Sequence, residues 1–369
     1  MQICNFLRNT VFFSAIILFL FLFVALKSNA QIRKYSNEYL SIGVGARALG
    51  MSNANVVAVN DATSGYWNPA GLLEIKSNLQ VAAMHAEYFA GIANYDFGAI
   101  ATPIDSISAL GFSLIRFGVD DIAYTINLID AEGNINYNNI TSFSVADYAF
   151  ISSYARKLPY GIKFGANAKI IYRKAGTFAT AWGFGLDAGL KYNYKKWRFG
   201  LMARDVTTTY NAWNYNFPDD MKEVWQLTGN EIKNNSTEIT LPKLILGAAR
   251  GFTIKNNFHV LAEANADITF DGKRNVLISG KPVSIDPHAG IEVNYKKIVY
   301  VRTGVMNIQK VKAEVGNFYK TTFQPNIGVG LKIKQFALDY AFTDIGDRSV
   351  GLYSHIFSLK IDFYKQTVN

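Results

Sequence analysis

The chain has 369 residues, of which 50% are hydrophobic, 14% aromatic and only 18% charged, with one cysteine and a formal net charge of +9. The lone Cys4 excludes a disulfide framework, cysteine metal sites and thiol catalysis, and a mean hydropathy of +0.07 with a single long apolar run excludes a bundle of membrane-spanning helices. The basic balance comes without an arginine–aromatic motif, so it describes a cationic exterior and interior and no nucleic-acid partner.

Residues 1–30 carry Arg8, an apolar run over 11–26 and the small-x-small triplet Ser28-Asn29-Ala30, which fits cleavage before Gln31. The run barely suffices to cross a bilayer, so a removed export signal is expected, with a retained anchor as the alternative. Cys4 has no apolar run before it and is not placed as a lipidation cysteine.

The next segment, 31–76, is rich in small side chains: Leu40-Ser41-Ile42-Gly43, Gly45-Ala46-Arg47-Ala48-Leu49-Gly50-Met51, Asp61-Ala62 and Trp67-Asn68-Pro69-Ala70-Gly71. Glycines permit close backbone approach, while Pro69 fixes its own φ and pushes Asn68 toward an extended conformation. A compact insert of little bulk, able to plug a larger structure, is the expectation.

From Ser77 onward the chain alternates. In the clearest strand Trp182, Phe184, Leu186, Ala188, Leu190, Tyr192 and Tyr194 share one parity, while Gly183, Gly185, Asp187, Gly189, Lys191 and Asn193 share the other. Successive side chains on a strand point to opposite faces, so one face is apolar with aromatic ends and the other is small or polar, as in a lipid face backed by a wet lumen. The same parity runs through Ile162 to Arg173 and Asn326 to Lys334. A soluble sandwich also alternates, but with shorter strands and a charged outer face.

Fourteen candidate strands begin near Ser77, Tyr95, Ser108, Ser142, Gly161, Thr180, Trp197, Ile239, Asn257, Ile285, Ile298, Thr322, Phe336 and Ser354. Connections after even-numbered strands are tight (103–106, 158–161, 193–196, 255–257, 295–297, 334–335), whereas those after odd-numbered ones are mostly long (118–141, 207–238, 271–284, 307–321, 344–353). Short turns on one side and long loops on the other are the mark of outer-membrane barrels, with the turns periplasmic. The sequence therefore predicts an all-β, 14-stranded antiparallel transmembrane β-barrel over 77–364, in contact with outer-membrane lipid, with a hatch in its lumen and a short tail over 365–369.

Lys163, Lys169, Arg173, Asp187, Lys191, Arg204, Glu263, Asp267, Glu292, Lys332, Asp339 and Lys360 are expected to face the lumen. Mixed signs on neighbouring strands favour salt-bridge networks that close the interior, with a polar solute path as the alternative. The loop over 207–238 holds Tyr210, Trp213, Tyr215, Phe217 and Trp225, a candidate partner-binding surface, an aromatic girdle, or rings folded over the barrel mouth.

The inner-segment motifs resemble those of the PorV/PorQ family of Bacteroidetes outer-membrane proteins, related to the FadL-type transporters of hydrophobic compounds. The carrying residues are the Leu40 to Gly43, Gly45 to Met51, Asp61-Ala62 and Trp67 to Gly71 stretches, together with Leu338-Asp339-Tyr340-Ala341-Phe342-Thr343-Asp344 and the strand after it. The resemblance implies a hatch built on Gly43, Gly45, Arg47, Gly50, Asn68, Pro69 and Gly71, and work alongside the type IX secretion system. One departure is that Lys365 and the residues after it extend past the aromatic Phe363-Tyr364.

His85, His259, His288 and His355 stand on distant strands without metal-ligand spacing, and no nucleophile elbow or phosphate loop occurs, so neither metal, cofactor nor enzymatic activity is expected. Two functions remain. One is a secretion accessory that binds or escorts exported cargo or the type IX translocon through its outer loops. The other is a FadL-like transporter or shuttle for a hydrophobic small molecule or lipid.

Overall fold

The computed structural model describes residues 36–89, 91–129, 133–229, 235–255, 257–312, 318–343 and 353–365. The expected export signal and residues 366–369 lie outside them.

The strands, in chain order, are β1 (Leu79–Tyr88), β2 (Ala93–Pro103), β3 (Ser108–Tyr124), β4 (Thr141–Lys157), β5 (Lys163–Ala175), β6 (Ala179–Tyr194), β7 (Trp197–Arg204) and β8 (Thr209–Tyr215). They continue as β9 (Asn235–Thr240), β10 (Lys243–Ile254), β11 (Phe258–Thr269), β12 (Ser284–Tyr295), β13 (Val299–Lys312), β14 (Tyr319–Ile333), β15 (Phe336–Thr343) and β16 (Ser354–Phe363). β1 pairs with β16 from Leu79↔Phe363 to Glu87↔His355, which closes a fourteen-stave antiparallel barrel of β1–β7 and β10–β16. β3, β7, β15 and β16 begin at the residue the alternation marks, and all others but the eighth within three residues of it.

The eighth stave and the loop before it need correction. The stretch 207–238 is not a free loop. β8 continues along β6 above β7, from Phe184↔Tyr210 to Ala179↔Tyr215, and β9 pairs with β8. Leu241-Pro242 then separates β9 from β10, because proline has no N–H to give a ladder. The 118–141 and 307–321 connections are also shorter than expected, since β3 runs on to Tyr124 and β13 to Lys312. Polar residues such as Asp120 and Asp121 made these ends read as loops, but they are sheet that extends past the apolar belt. At the loop end of the barrel, residues 89–92 and 176–178 are also short connections.

The two faces follow the alternation. Trp182 (60% exposed) and Phe184 (52%) point outward while Gly183, Gly185, Asp187 and Lys191 are buried inside. On β14, Ile327, Val329, Leu331 and Ile333 are exposed. The apolar belt is uneven, however. On β1 to β3 the outer face turns polar toward the loop end, where His85 meets Asp96 at 2.7 Å and Arg116 meets Asp120 at 3.0 Å.

Candidate functional site

The lumen is filled by residues 36–76, which form short turns of helix at Glu38–Ser41, Ala46–Gly50, Ser64–Trp67 and Pro69–Glu74. Gly45 opens the second of these at φ 85, a left-handed conformation that a side chain disfavours, and Gly43 stands at φ 108 against Asn53. Local bonds fix the insert. The Trp67 indole donates to the Val44 carbonyl at 2.9 Å, the Tyr66 hydroxyl donates to the Leu40 carbonyl at 2.6 Å, and the two rings meet edge-on at 4.9 Å. Asn68 caps the last helix by accepting from Ala70 N–H at 3.2 Å, while its amide donates to the Val56 carbonyl at 3.0 Å and the Leu190 carbonyl of β6 at 3.1 Å. Gly71 fits beside Ser64 and Val59 where an added Cβ would lie 2.7 Å from each of two oxygens.

Three hatch side chains lock into ion pairs on the wall. Arg47 bonds Glu292 of β12, which also holds Arg302 at 2.7 Å, and Arg302 reaches Asp339 at 2.7 Å. Asp61 takes Lys360 at 2.9 Å. Glu74 takes both Lys163 at 2.6 Å and Lys191 at 2.8 Å. Burial alone would raise the Asp61 carboxyl, but Lys360 and Arg47 outweigh it and hold the group well below the usual carboxylate range. Glu74 is lowered likewise, with burial opposed by Lys191 and Lys163. Burial would lower the Arg47 guanidinium, but the Glu292 charge raises it and keeps it cationic.

Backbone groups of the hatch are satisfied by the wall as well. Glu263 accepts from Val57 and Ala58 N–H, both at 2.8 Å, Arg204 donates to the Leu40 and Tyr66 carbonyls at 2.7 and 3.1 Å, and Asn167 donates to the Gly65 carbonyl at 2.7 Å. Buried polar backbone needs partners of this kind. Most of the remaining lumen charges pair among themselves: Lys169 with Asp187 and Asp205, Arg173 with Asp147 and Glu238, Asp267 with Lys243, and Lys332 with Asp362. The mixed-sign interior is thus a closing network.

The lumen-facing glycines of the strands turn out to be seats for the hatch. Pro69 and Ala70 press on Gly165, Asn68 on Gly189, Met51 on Gly290 and Gly304, and Gly50 on Gly328. The alternation identifies Gly165, Gly189 and Gly328 as small lumen positions, and does not single out Gly290 or Gly304; what all five touch is hidden because the contacts come from a segment far away in sequence.

The hatch divides two cavities. One of about 570 Å³ opens at the turn end and is lined by Arg47, Arg198, Lys297, Arg302, Lys332 and Lys360, with Glu292 and Asp339. Another, of about 320 Å³, lies on the loop side between the hatch and β10–β13. Across the lumen the inner wall of β1 to β3 is apolar: Tyr88, Tyr95, Phe97 and Ile115 are buried, Phe117 and Val119 pack against them, and the strip meets Tyr39, Leu40 and Ile42 of the hatch. Tyr95 makes edge contacts with Tyr88 at 6.3 Å and Phe117 at 5.8 Å.

The aromatic residues of the 207–238 stretch divide. Tyr210 is on the lipid-facing side of β8 opposite Phe184 and is 48% exposed. Trp213, Tyr215, Phe217 and Trp225 form a contiguous series with centroids 6.2, 5.6 and 4.6 Å apart, the first two contacts stacked and the last tilted, and Trp213 donates to Glu238 at 3.2 Å beneath Arg173. These four rings are half-buried against one another. The alternation of β8 carried this signal, with Trp213 and Tyr215 two residues apart.

No protein-family model and no curated protein sequence matches the chain. Solved structures do. The toluene transporter TbuX of Ralstonia pickettii superimposes with a TM-score of 0.53 at 11% identity, over 87% of this chain and 99% of its own. The CymD monoaromatic hydrocarbon channel gives 0.52 at 13% identity, over 88% and 98%. A Pseudomonas aeruginosa FadL homologue gives 0.51 at 12% identity, over 87% and 98%. The chain therefore shares the fourteen-stranded antiparallel β-barrel fold of these solved structures, with its N-terminal hatch in the lumen.

Proposed function

We propose that this protein lies in the outer membrane and admits a small hydrophobic molecule, with the N-terminal hatch as the closure. The observation that carries this reading is the strip of Tyr88, Tyr95, Phe97, Ile115, Phe117 and Val119, which lines one side of an otherwise charged lumen and ends on the hatch. An apolar solute gains by contact with such a wall and loses at the ion-paired side, so the lumen sorts solutes by polarity. The solved barrels of the same fold include proteins described as a toluene transporter and a monoaromatic hydrocarbon channel, which supports the same class of solute.

The secretion-accessory reading rests on the hatch motifs and the Leu338 to Asp344 stretch with the strand after it, and of its candidate contact residues Tyr210, Trp213, Tyr215, Phe217 and Trp225 the last four pack on one another. One pair of strains separates the two. Deletion and complementation of the gene should lower and restore uptake of radiolabelled toluene several-fold while leaving uptake of a small sugar unchanged. Normal toluene uptake with lost surface display of type IX cargo would reverse the assignment.

A further inference from the structure

The cavity of about 320 Å³ on the loop side of the hatch holds two charged groups that its walls leave without an ion-pair partner. Its lining includes Tyr66, Trp67, Val56, Ile245 and Met306, which supply an apolar surface. Most formal charges around it are committed. Lys243 and His288 hold Asp267, and Arg274 holds Glu38 at 3.0 Å and Asp271 at 2.7 Å. Two groups of opposite sign are left over.

Asp286 of β12 stands directly across the ladder from Asp267, and among the described residues no cation lies within ion-pair distance of it; its Oδ1 is buried without a hydrogen-bond partner. Among the described residues, Arg204 of β7 donates only to carbonyls and stacks on the Tyr66 ring at 4.4 Å, and its buried Nε also lacks a partner. Facing carboxylates on paired strands repel, and a buried unpaired charge is unfavourable until a counter-charge arrives. Volume near the lower end of small-ligand pockets, a mixed lining with some apolar side chains and a few convergent polar groups describe a binding site.

We propose that this cavity binds a zwitterionic ligand with an apolar body, of the size and chemistry of a hydrophobic α-amino acid, with its ammonium group at Asp286 and its carboxylate at Arg204. The proposal concerns binding and stands apart from passage of neutral hydrocarbons, because it uses the polar side of the lumen and is read on purified protein.

Calorimetry on the detergent-solubilised mature protein tests it with four probes of one ring size: L-phenylalanine, phenethylamine, 3-phenylpropionate and toluene. L-Phenylalanine should bind at least 10-fold more tightly than either singly charged probe. Asp286→Asn should weaken L-phenylalanine and phenethylamine at least 10-fold and leave 3-phenylpropionate unchanged, which also shows that the variant is folded. Arg204 holds the hatch, so the amine probe, which lacks a carboxylate, reports its part without substitution. Equal binding of toluene and L-phenylalanine, no binding of any charged probe, or an Asp286→Asn protein that binds phenethylamine normally would each overturn the proposal. Loss of toluene uptake in cells bears only on the passage function.

Discussion

Arg47 of the hatch and Glu292 of β12 meet through two hydrogen bonds, Nε to Oε2 at 2.9 Å and Nη2 to Oε1 at 3.3 Å, across 245 positions of sequence. Glu292 is shared with Arg302, so removing Arg47 leaves the wall pair intact while it frees one corner of the hatch. Arg47→Ala should therefore loosen the hatch more than the barrel. Breaking one partner of a largely buried pair costs about 3 kcal/mol. Limited proteolysis should cut within residues 36–76 at much lower protease concentration than in the parent, with the boiled-versus-unboiled gel shift of the barrel retained. Simultaneous loss of both would contradict the separation.

The glycine seats make a second prediction. A Cβ at Gly165 would lie 2.5 Å from the Pro69 carbonyl carbon, and Pro69 is backbone of the last hatch helix, which cannot swing aside as a side chain does. Gly165→Val suits a strand yet displaces the hatch. In planar bilayers the parent should be closed, and the variant should open. The opened pore should prefer anions, because the turn-end cavity is lined by six Arg and Lys side chains against Glu292 and Asp339. A closed variant, or a cation-selective one, would show that the seats or the charge pattern do not act as described.

Acid should release the hatch late. The carboxyls of Asp61 and Glu74 are held below their ordinary values, Asp61 by Lys360 and Arg47 and Glu74 by Lys191 and Lys163, against the opposing effect of burial. A group whose folded value is depressed contributes stability above its unfolded value, near pH 4, and loses it as pH falls through the folded value. Protease resistance of the hatch should thus be flat from neutral pH to about 5 and decline only below the unfolded carboxylate range. Glu74→Gln should lower resistance at neutral pH and flatten its share of the acid response. A decline centred near pH 6 would point to another group.

Depth along β6 offers a fourth test. Phe184 is 52% exposed on the lipid face, and Tyr192 is near the turn end of the same face. Phe184→Arg should destabilise the barrel by about 2–4 kcal/mol in urea titrations from lipid, and Tyr192→Arg by about 0–1 kcal/mol. Equal costs would place the membrane boundary elsewhere.

Much of this arrangement is legible in the residues themselves. Period-two alternation in Trp182 to Tyr194 gives both faces of β6, and the tight turns give the order of the staves. Sequence also marks the hatch residues as compact, but their locks are long-range. Nothing local to Asp61 announces Lys360, and nothing local to Pro69 announces Gly165. The 207–238 stretch resembles a loop in sequence because the polar Asp205 to Thr208 and then Pro242 interrupt its strands. Asp286 is not among the lumen charges that the alternation singles out, and its buried Oδ1 without a hydrogen-bond partner is visible only in three dimensions.

The central claim is that the hatch closes the path, and one disulfide tests it most directly. A Cβ at Gly65 would stand 3.6 Å from the Ser153 Cβ of β4, within the Cβ–Cβ span of native disulfides. The only natural cysteine, Cys4, lies in the expected export signal, so Gly65→Cys with Ser153→Cys adds a single bridge to the mature chain. Toluene uptake by cells carrying this protein as their sole copy should fall to the deletion level when the bridge is oxidised and return on reduction. Undiminished uptake through fully bridged protein would contradict the account, because it would mean that the solute does not need the hatch to move.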